Sequence, residues 1–333
     1  MKTVLHGFWS LHSSEVEEAK ELWRIRESYD KGQAKIEELK AAQDKLTTHF
    51  LKLQDDLGID ILSDGGFRWD SSLDIARRLK GCLGFKNLQR IGVTNHFHRA
   101  PIVEAMPVWQ EPILLLDFIY ANAATLKPIM VHLPGPYTLA RQSLNPNEES
   151  GFNKELVLAY AEAINLEIKS LLEANASYVK VDDSEILGYP DDRELIKEAF
   201  QILTAKLDFS RIYLHTTGFS VNNFPNYFDL PFGGFFLDFA SSLAVREENL
   251  AAVKNLPQSC CLGVGLVNAA RSYLPPTVKL LEFLRALNKK VPLDKLFLCP
   301  NADLDFLPWK IAVEKVKQLV DVARVVNWVK EAK

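Results

Sequence analysis

Ser177-Tyr-Val-Lys-Val-Asp-Asp-Ser-Glu185 reads as a β-strand that carries acids out of its carboxyl end. Tyr178 to Asp182 alternate after a strongly periodic helix, and Gly188-Tyr-Pro190 opens a loop before the next one. Strand side chains alternate, so Tyr178, Lys180 and Asp182 share a face. A Lys and an Asp two residues apart on a buried strand must find partners, because an unpaired buried charge is expensive. Two readings stand side by side: a structural Lys180–Asp182 ion pair, or a role for Asp182 in binding a ligand.

Outward from this strand, apolar strands alternate with helices. Strands are expected near residues 2–8, 59–64, 128–133, 176–182, 211–216, 234–239, 259–267 and 295–300. Strict alternation implies a parallel sheet, and eight strands imply an α/β fold of the (β/α)8 TIM barrel type. Helices over 15–29 and 34–57 form an N-terminal helical extension. Residues 67–127 read as an insertion between strands two and three: a helix over 70–79, a hairpin of 88–93 with 101–105, and a helix over 113–126. Such insertions often cover active sites. His96 and His98 fall on one face of that hairpin and are expected to be exposed. Without a repeat, linker or low-complexity tract, the 333 residues are expected to form a single domain over 1–333.

The chain is 47% hydrophobic with a net charge of −4 and no basic run, which argues against nucleic acid or an anionic membrane as partner. Residues 1–10 lack the pattern of a signal peptide, and the apolar run 112–126 is interrupted by Asp117 and Asn122 and is too short to span a bilayer. Cys82, Cys260, Cys261 and Cys299 form no CxxC pair, which suggests a reducing, cytoplasmic setting. The aromatic run 224–236 suits a cavity wall or ordinary core equally.

In a barrel, chemistry collects at the carboxyl ends of the strands. There the sequence offers Asp64, Arg68, His132, Asp182, Asp183, His215, Thr217, Asp238, Asn268, Arg271, Cys299, Asn301 and Asp303. His132 also reads as a hydrogen-bonded histidine inside the barrel. Cys260 and Cys261 point to opposite faces and read as inert buried thiols.

Five stretches in order give the chain a resemblance to the catalytic, C-terminal half of cobalamin-independent methionine synthase, in the barrel superfamily that includes uroporphyrinogen decarboxylase. They are Gln54-Asp-Asp-Leu-Gly-Ile-Asp-Ile-Leu-Ser-Asp-Gly65, Leu133-Pro-Gly-Pro-Tyr-Thr138, Val181-Asp-Asp-Ser184, His215-Thr-Thr217 and Cys299-Pro-Asn-Ala-Asp-Leu304. The resemblance implies methyl transfer from methyltetrahydrofolate to homocysteine, with zinc presenting the thiol as thiolate. By position, the implied zinc ligands become His215, Thr217, Asp238 and Ala302. His215 and Asp238 remain as metal ligands, and neither Thr217 nor Ala302 supplies a thiolate. Asp182, Asp303 or Cys299 would have to be brought in to complete an oxygen-rich site. Asp182 matches the acid that contacts the homocysteine amino group; the substrate-contacting Glu of the family falls at Gly66.

The resulting expectation is a divergent methyltransferase with Asp182, His215 and Asp238 as catalytic residues. Asp64, Arg68, His132, Lys180, Asp183, Thr217, Asn268, Asn301 and Asp303 would bind a small-molecule substrate. The donor would be methyltetrahydrofolate or a methyl-corrinoid protein, and the protein a monomer or homodimer. Two alternatives stay open. One is metal-free acid–base chemistry, a lyase or decarboxylase using Lys180, Asp182, His215 and Asp238. The other is a non-catalytic barrel that binds a small metabolite or a partner protein.

Overall fold

The computed structural model describes residues 1–11, 13–83, 88–90, 97–144 and 152–331. The strands in chain order are β1 Lys2–Thr3, β2 Lys80–Leu83, β3 Leu88–Arg90, β4 Phe97–Arg99, β5 Ile102–Val108, β6 Met130–Pro134, β7 Tyr178–Asp182, β8 Ile212–Thr216, β9 Gly234–Asp238, β10 Cys261–Val267 and β11 Leu296–Pro300. The helices are α1 Glu17–Asp30, α2 Ile36–Leu57, α3 Leu115–Ala123, α4 Pro136–Gln142, α5 Lys154–Glu173, α6 Arg193–Thr204, α7 Leu243–Ala252, α8 Thr277–Asn288 and α9 Trp309–Glu331.

Seven strands form one curled, all-parallel sheet in the order β1-β11-β10-β9-β8-β7-β6. Every residue of β8, β9 and β11 is buried, as expected for parallel strands covered on both faces. The register aligns the carboxyl ends: Pro134 faces Asp182, Asp182 faces His215, and Asp238 faces Gly265. The main core lies between sheet and helices. A second apolar cluster sits on the sheet's other face, where Val4, Ile61, Met130, Tyr213, Phe236, Phe297 and Cys299 meet.

Residues 59–64 differ from the expected continuous strand. Their pairing is reduced to isolated parallel bridges, Val4 with Ile61 and Leu62 with Ile129. The Asp60 carboxylate takes both the amide and the hydroxyl of Thr3, at 2.7 and 2.9 Å, which interrupts a regular ladder there. The 70–79 helix is instead a 3-10 turn over Ser72–Arg78, with Asp74 N–H bonded to the Ser71 carbonyl three residues back. The expected hairpin pairs differently: β5 lies antiparallel to β2, and β3 to β4. Residues 91–96 of that hairpin, with His96, lie outside the described residues, as does the His98 side chain.

The aromatic run is core. Phe224, Tyr227, Phe228, Phe232 and Phe235 are buried, with Phe228 and Phe235 edge to face at 5.2 Å. Each ring buried this way stabilises by about 1.5–3 kcal/mol. The insertion is fastened by a buried charge: Glu167 on α5 accepts from Trp109 Nε1 (2.7 Å) and from the amides of Ile113 (2.9 Å) and Leu114 (2.8 Å). Those three donors compensate the carboxylate's burial and set the start of α3.

Candidate active site

Lys180 is central on β7. Its side chain is fully buried, with Nζ 2.8 Å from His6 Nδ1, 3.4 Å from His215 Nδ1, 3.7 Å from Asp182 Oδ2 and 3.9 Å from Asp303 Oδ1. Both readings of the Lys180–Asp182 pair therefore meet in one cluster. His6 Nε2 donates to the Pro300 carbonyl at 3.1 Å, so Nδ1 is left as the acceptor for the ammonium. Burial foremost, then the neighbouring Lys180 charge, holds the His6 pKa well below its usual value.

His215 stands one strand over. Nδ1 donates to Asp182 Oδ2 at 2.7 Å and Nε2 to the Asn301 carbonyl at 3.0 Å. Burial alone would raise the Asp182 pKa, but His215 and Lys180 outweigh it and hold the carboxyl well below its ordinary range. Ser184 Oγ donates to the other Asp182 oxygen at 2.9 Å.

Asp303 completes the cluster from the loop after β11. Its carboxyl lies over Gly7, where a Cβ would fall 1.8 Å from Oδ1; only the bare glycine, at φ 74°, leaves that space. Oδ1 is buried and has no hydrogen-bond donor. Burial pushes Asp303 up to about 6, with Lys180 opposing. Asp305, two residues on, also carries a donor-less Oδ1; burial and the Asp303 charge raise it to about 8. The mouth of the site is formed by Asp182 and Asp303, whose side chains are 24% and 21% exposed.

Asp238 has a different environment. It accepts from Thr217 Oγ1 (3.1 Å), Asn301 Nδ2 (3.0 Å) and the amides of Gly218 (3.0 Å), Ala240 (2.8 Å) and Ser241 (2.9 Å). Burial would raise its pKa, yet the donors, Ala240 first, bring it below the ordinary value. The carboxylate is committed to tying together the ends of β8, β9 and β11. Asn301 also accepts from the Ala269 amide at 2.8 Å, and Asn268 donates to the Ala240 carbonyl at 3.1 Å, so both asparagines are loop anchors. Asp183 is another: it accepts the Tyr137 and Thr138 amides at 3.1 and 2.6 Å, capping α4 from the next strand.

The remaining expected residues lie apart from Lys180 or border it. Arg68 pairs with Asp44 and, at 2.8 Å, Asp117, and stacks on Tyr120; it braces α2 against α3. Asp64, raised by burial, accepts the Gly66 amide at 3.0 Å and lines a cleft with Phe8, Asp117 and His132. His132 is not the hydrogen-bonded histidine its position suggested. Neither ring nitrogen has a partner, the ring meets Phe8 edge-on at 5.8 Å, and burial drives its pKa well down. Sequence reasoning missed His6 and Asp305. The signal for His6 was present: Val4, His6 and Phe8 alternate, which puts a histidine on the inward face of the first strand.

The implied zinc set does not fit this arrangement. His215 has both nitrogens engaged as donors, Thr217 donates its hydroxyl to Asp238, and Asp238 holds five donors. Ala302 has no ligating atom. Cys299 sits in the inner apolar cluster, and burial raises its thiol pKa far above normal. Among the described residues no group of three or more His, Cys, Asp or Glu side chains is arranged to hold a metal ion.

Comparison with known proteins agrees with the motif order. The family model described as the catalytic domain of cobalamin-independent synthase matches residues 17–325. A methionine synthase of Pyrococcus furiosus is 27% identical over 316 residues, 92% of this chain and 88% of the relative. A 5-methyltetrahydropteroyltriglutamate–homocysteine methyltransferase of Thermotoga sp. is 24% identical over 315 residues, 91% of this chain but 42% of that longer protein. A solved B12-independent methionine synthase from Shewanella sp., in complex with selenomethionine, superposes with a TM-score of 0.79 at 20% identity, over 90% of this chain and 92% of that one. Fold, motif order and family match converge: this chain belongs to the cobalamin-independent methionine synthase family, in its catalytic domain.

Proposed function

We propose that the chain transfers a methyl group to a small thiol such as homocysteine, and that the thiol's proton passes to Asp303. Asp303 Oδ1 carries the reading: buried, without a donor, and 3.9 Å from the Lys180 ammonium. An atom set off the line joining them can stand within hydrogen-bond distance of both. A carboxyl at about 6 is ionised at neutral pH yet more basic than an ordinary aspartate, the compromise a general base needs. The balance is complete. S–H gives its proton to Asp303, sulfur forms the new S–CH3 bond, and the N–CH3 bond of a methyltetrahydrofolate breaks with its electron pair on nitrogen. That nitrogen takes up a proton from solvent, and Asp303 releases its own to solvent, which closes the cycle.

In the same reading the site crowns a closed barrel of eight staves, with residues 59–64 as the second. The bridges from Val4 to Ile61 and from Leu62 to Ile129 support this, as does the presence of Ile61 among the inward-facing residues of the other staves. The family and the Thermotoga relative favour a folate donor.

The test is methionine formation from homocysteine with labelled 5-methyltetrahydrofolate, as mono- and triglutamate, and in a parallel arm with methylcobalamin. Label should appear in methionine and fall about 10²-fold in Asp303→Asn, the scale of one general base. No methionine from any donor, or an equally active Asp303→Asn, rejects the proposal. Two neighbouring acids raised by burial to about 6 and about 8, Asp303 and Asp305, favour one rival, a metal-free lyase or decarboxylase; it predicts turnover of a substrate without any methyl acceptor.

A further inference from the structure

We infer that a buried ammonium, Lys180, aimed by His6, takes the place of a metal ion in this site and holds the acceptor thiol as its thiolate. The substrate class rests on the proposed function; the charged centre rests on geometry alone.

The positions that would carry zinc are spent or lack a donor atom, while 3.4 Å from His215 Nδ1 the chain places a different cation. An ammonium has three N–H donors. Lys180 uses one at 2.8 Å on His6, and its other neighbours stand at 3.4 Å from a nitrogen that is itself donating, and at 3.7 and 3.9 Å from carboxylates. A fully buried ammonium with two donors short of good partners is costly unless something fills the gap. Across that gap Asp303 Oδ1 lacks a donor. An incoming S–H supplies both needs: sulfur accepts from Lys180, and its proton goes to Asp303.

Charge is conserved in this exchange. Before the transfer Asp303 carries the negative charge; afterwards Asp303 is neutral and the thiolate carries that charge beside the same ammonium. No net charge is added to the interior, which keeps the desolvation cost small. His6 acts as a positioning residue. Its Nε2–H is fixed on Pro300, so its Nδ1 can only accept and holds the ammonium at one point.

The experiment uses the whole chain after chelation, titrated with homocysteine at neutral pH, with the thiolate's ultraviolet band as readout and thermal unfolding as the folding check. The wild type should show the band without metal. Lys180→Met should lose it at least tenfold in apparent affinity; His6→Leu should weaken it and His6→Gln, which restores an acceptor, should recover most of it. His6→Leu keeps the ammonium and tests the same centre if Lys180→Met does not fold. A band that needs added zinc, a band unchanged in both Lys180→Met and His6→Leu, or no band in the wild type overturns the inference. A metal-free band without methionine formation leaves this inference standing and removes the methyl-transfer reading instead.

Discussion

Asp238 ends β9 and Asp303 follows β11, on either side of β10 in one sheet; the first is buried and the second 21% exposed, and they have become opposite things. Asp238 closes β9 and collects five donors, three of them backbone amides. Asp303 follows β11 and keeps an oxygen with none. Burial pushes on both carboxyls in the same direction, yet one ends below the ordinary range and the other at about 6. The number of donors within reach decides the sign. In the proposed reading a satisfied acid is structure, and an under-satisfied one beside a cation is a place for a substrate.

The largest effect should fall on the satisfied side. Asp238→Ala strands three amides, a hydroxyl and an amide side chain, each costing about 1–3 kcal/mol when left buried without a partner. A stability loss above about 3 kcal/mol in denaturant unfolding is expected; a loss under 1 kcal/mol would put the two acids in one class after all. On the other side, Asp303→Asn should lower kcat/KM by about 10²-fold while the protein stays folded.

The pH dependence separates the acids further. Asp303 must be ionised to act as base, so kcat/KM should fall as pH drops through about 6, and Asp303→Asn should lack that limb. Stability runs in opposite senses. For Asp303, folded at about 6 and unfolded near the ordinary 3.8, stability is lost as pH rises through that window. Asp303→Asn should therefore gain on the wild type between pH 4 and 7. For Asp238 the folded value is depressed, so its contribution is present above the ordinary carboxylate range and lost on acidification. Equal pH slopes for both variants relative to the wild type would break the distinction.

The smallest expected effect tests whether satisfaction alone marks a structural acid. Glu167 on α5 is, like Asp238, an acid satisfied by several donors, three in its case, and it makes no contact with the Lys180 cluster among its hydrogen bonds. Glu167→Gln should cost about 2 kcal/mol, since an amide N–H2 then faces donors, and should leave thiol affinity unchanged.

Much of the sheet was legible because β6 to β11 alternate with periodic helices and carry continuous apolar runs. Residues 59–64 read as an equal strand but pair through bridges only, because Asp60 turns to Thr3, a contact 57 residues distant that no local pattern encodes. The site was half legible. Lys180, Asp182, His215 and Asp303 could be named because strand ends concentrate polar residues. The donor set of Asp238 could not, since it comes from three loops that only the fold brings together. His6 was missed for a different reason: it falls inside the expected strand 2–8, before its tip, where polar side chains are ordinarily excluded, whereas β1 ends at Thr3.

The most direct measurement is the rate of methionine formation by the chelated chain, with homocysteine and 5-methyltetrahydrofolate, compared with the same sample after zinc is restored. A site built on Lys180 predicts equal rates with and without the metal. A rate that vanishes on chelation and returns as one zinc binds per chain would contradict it, and would mean that His215 and Asp238 abandon the hydrogen bonds described here.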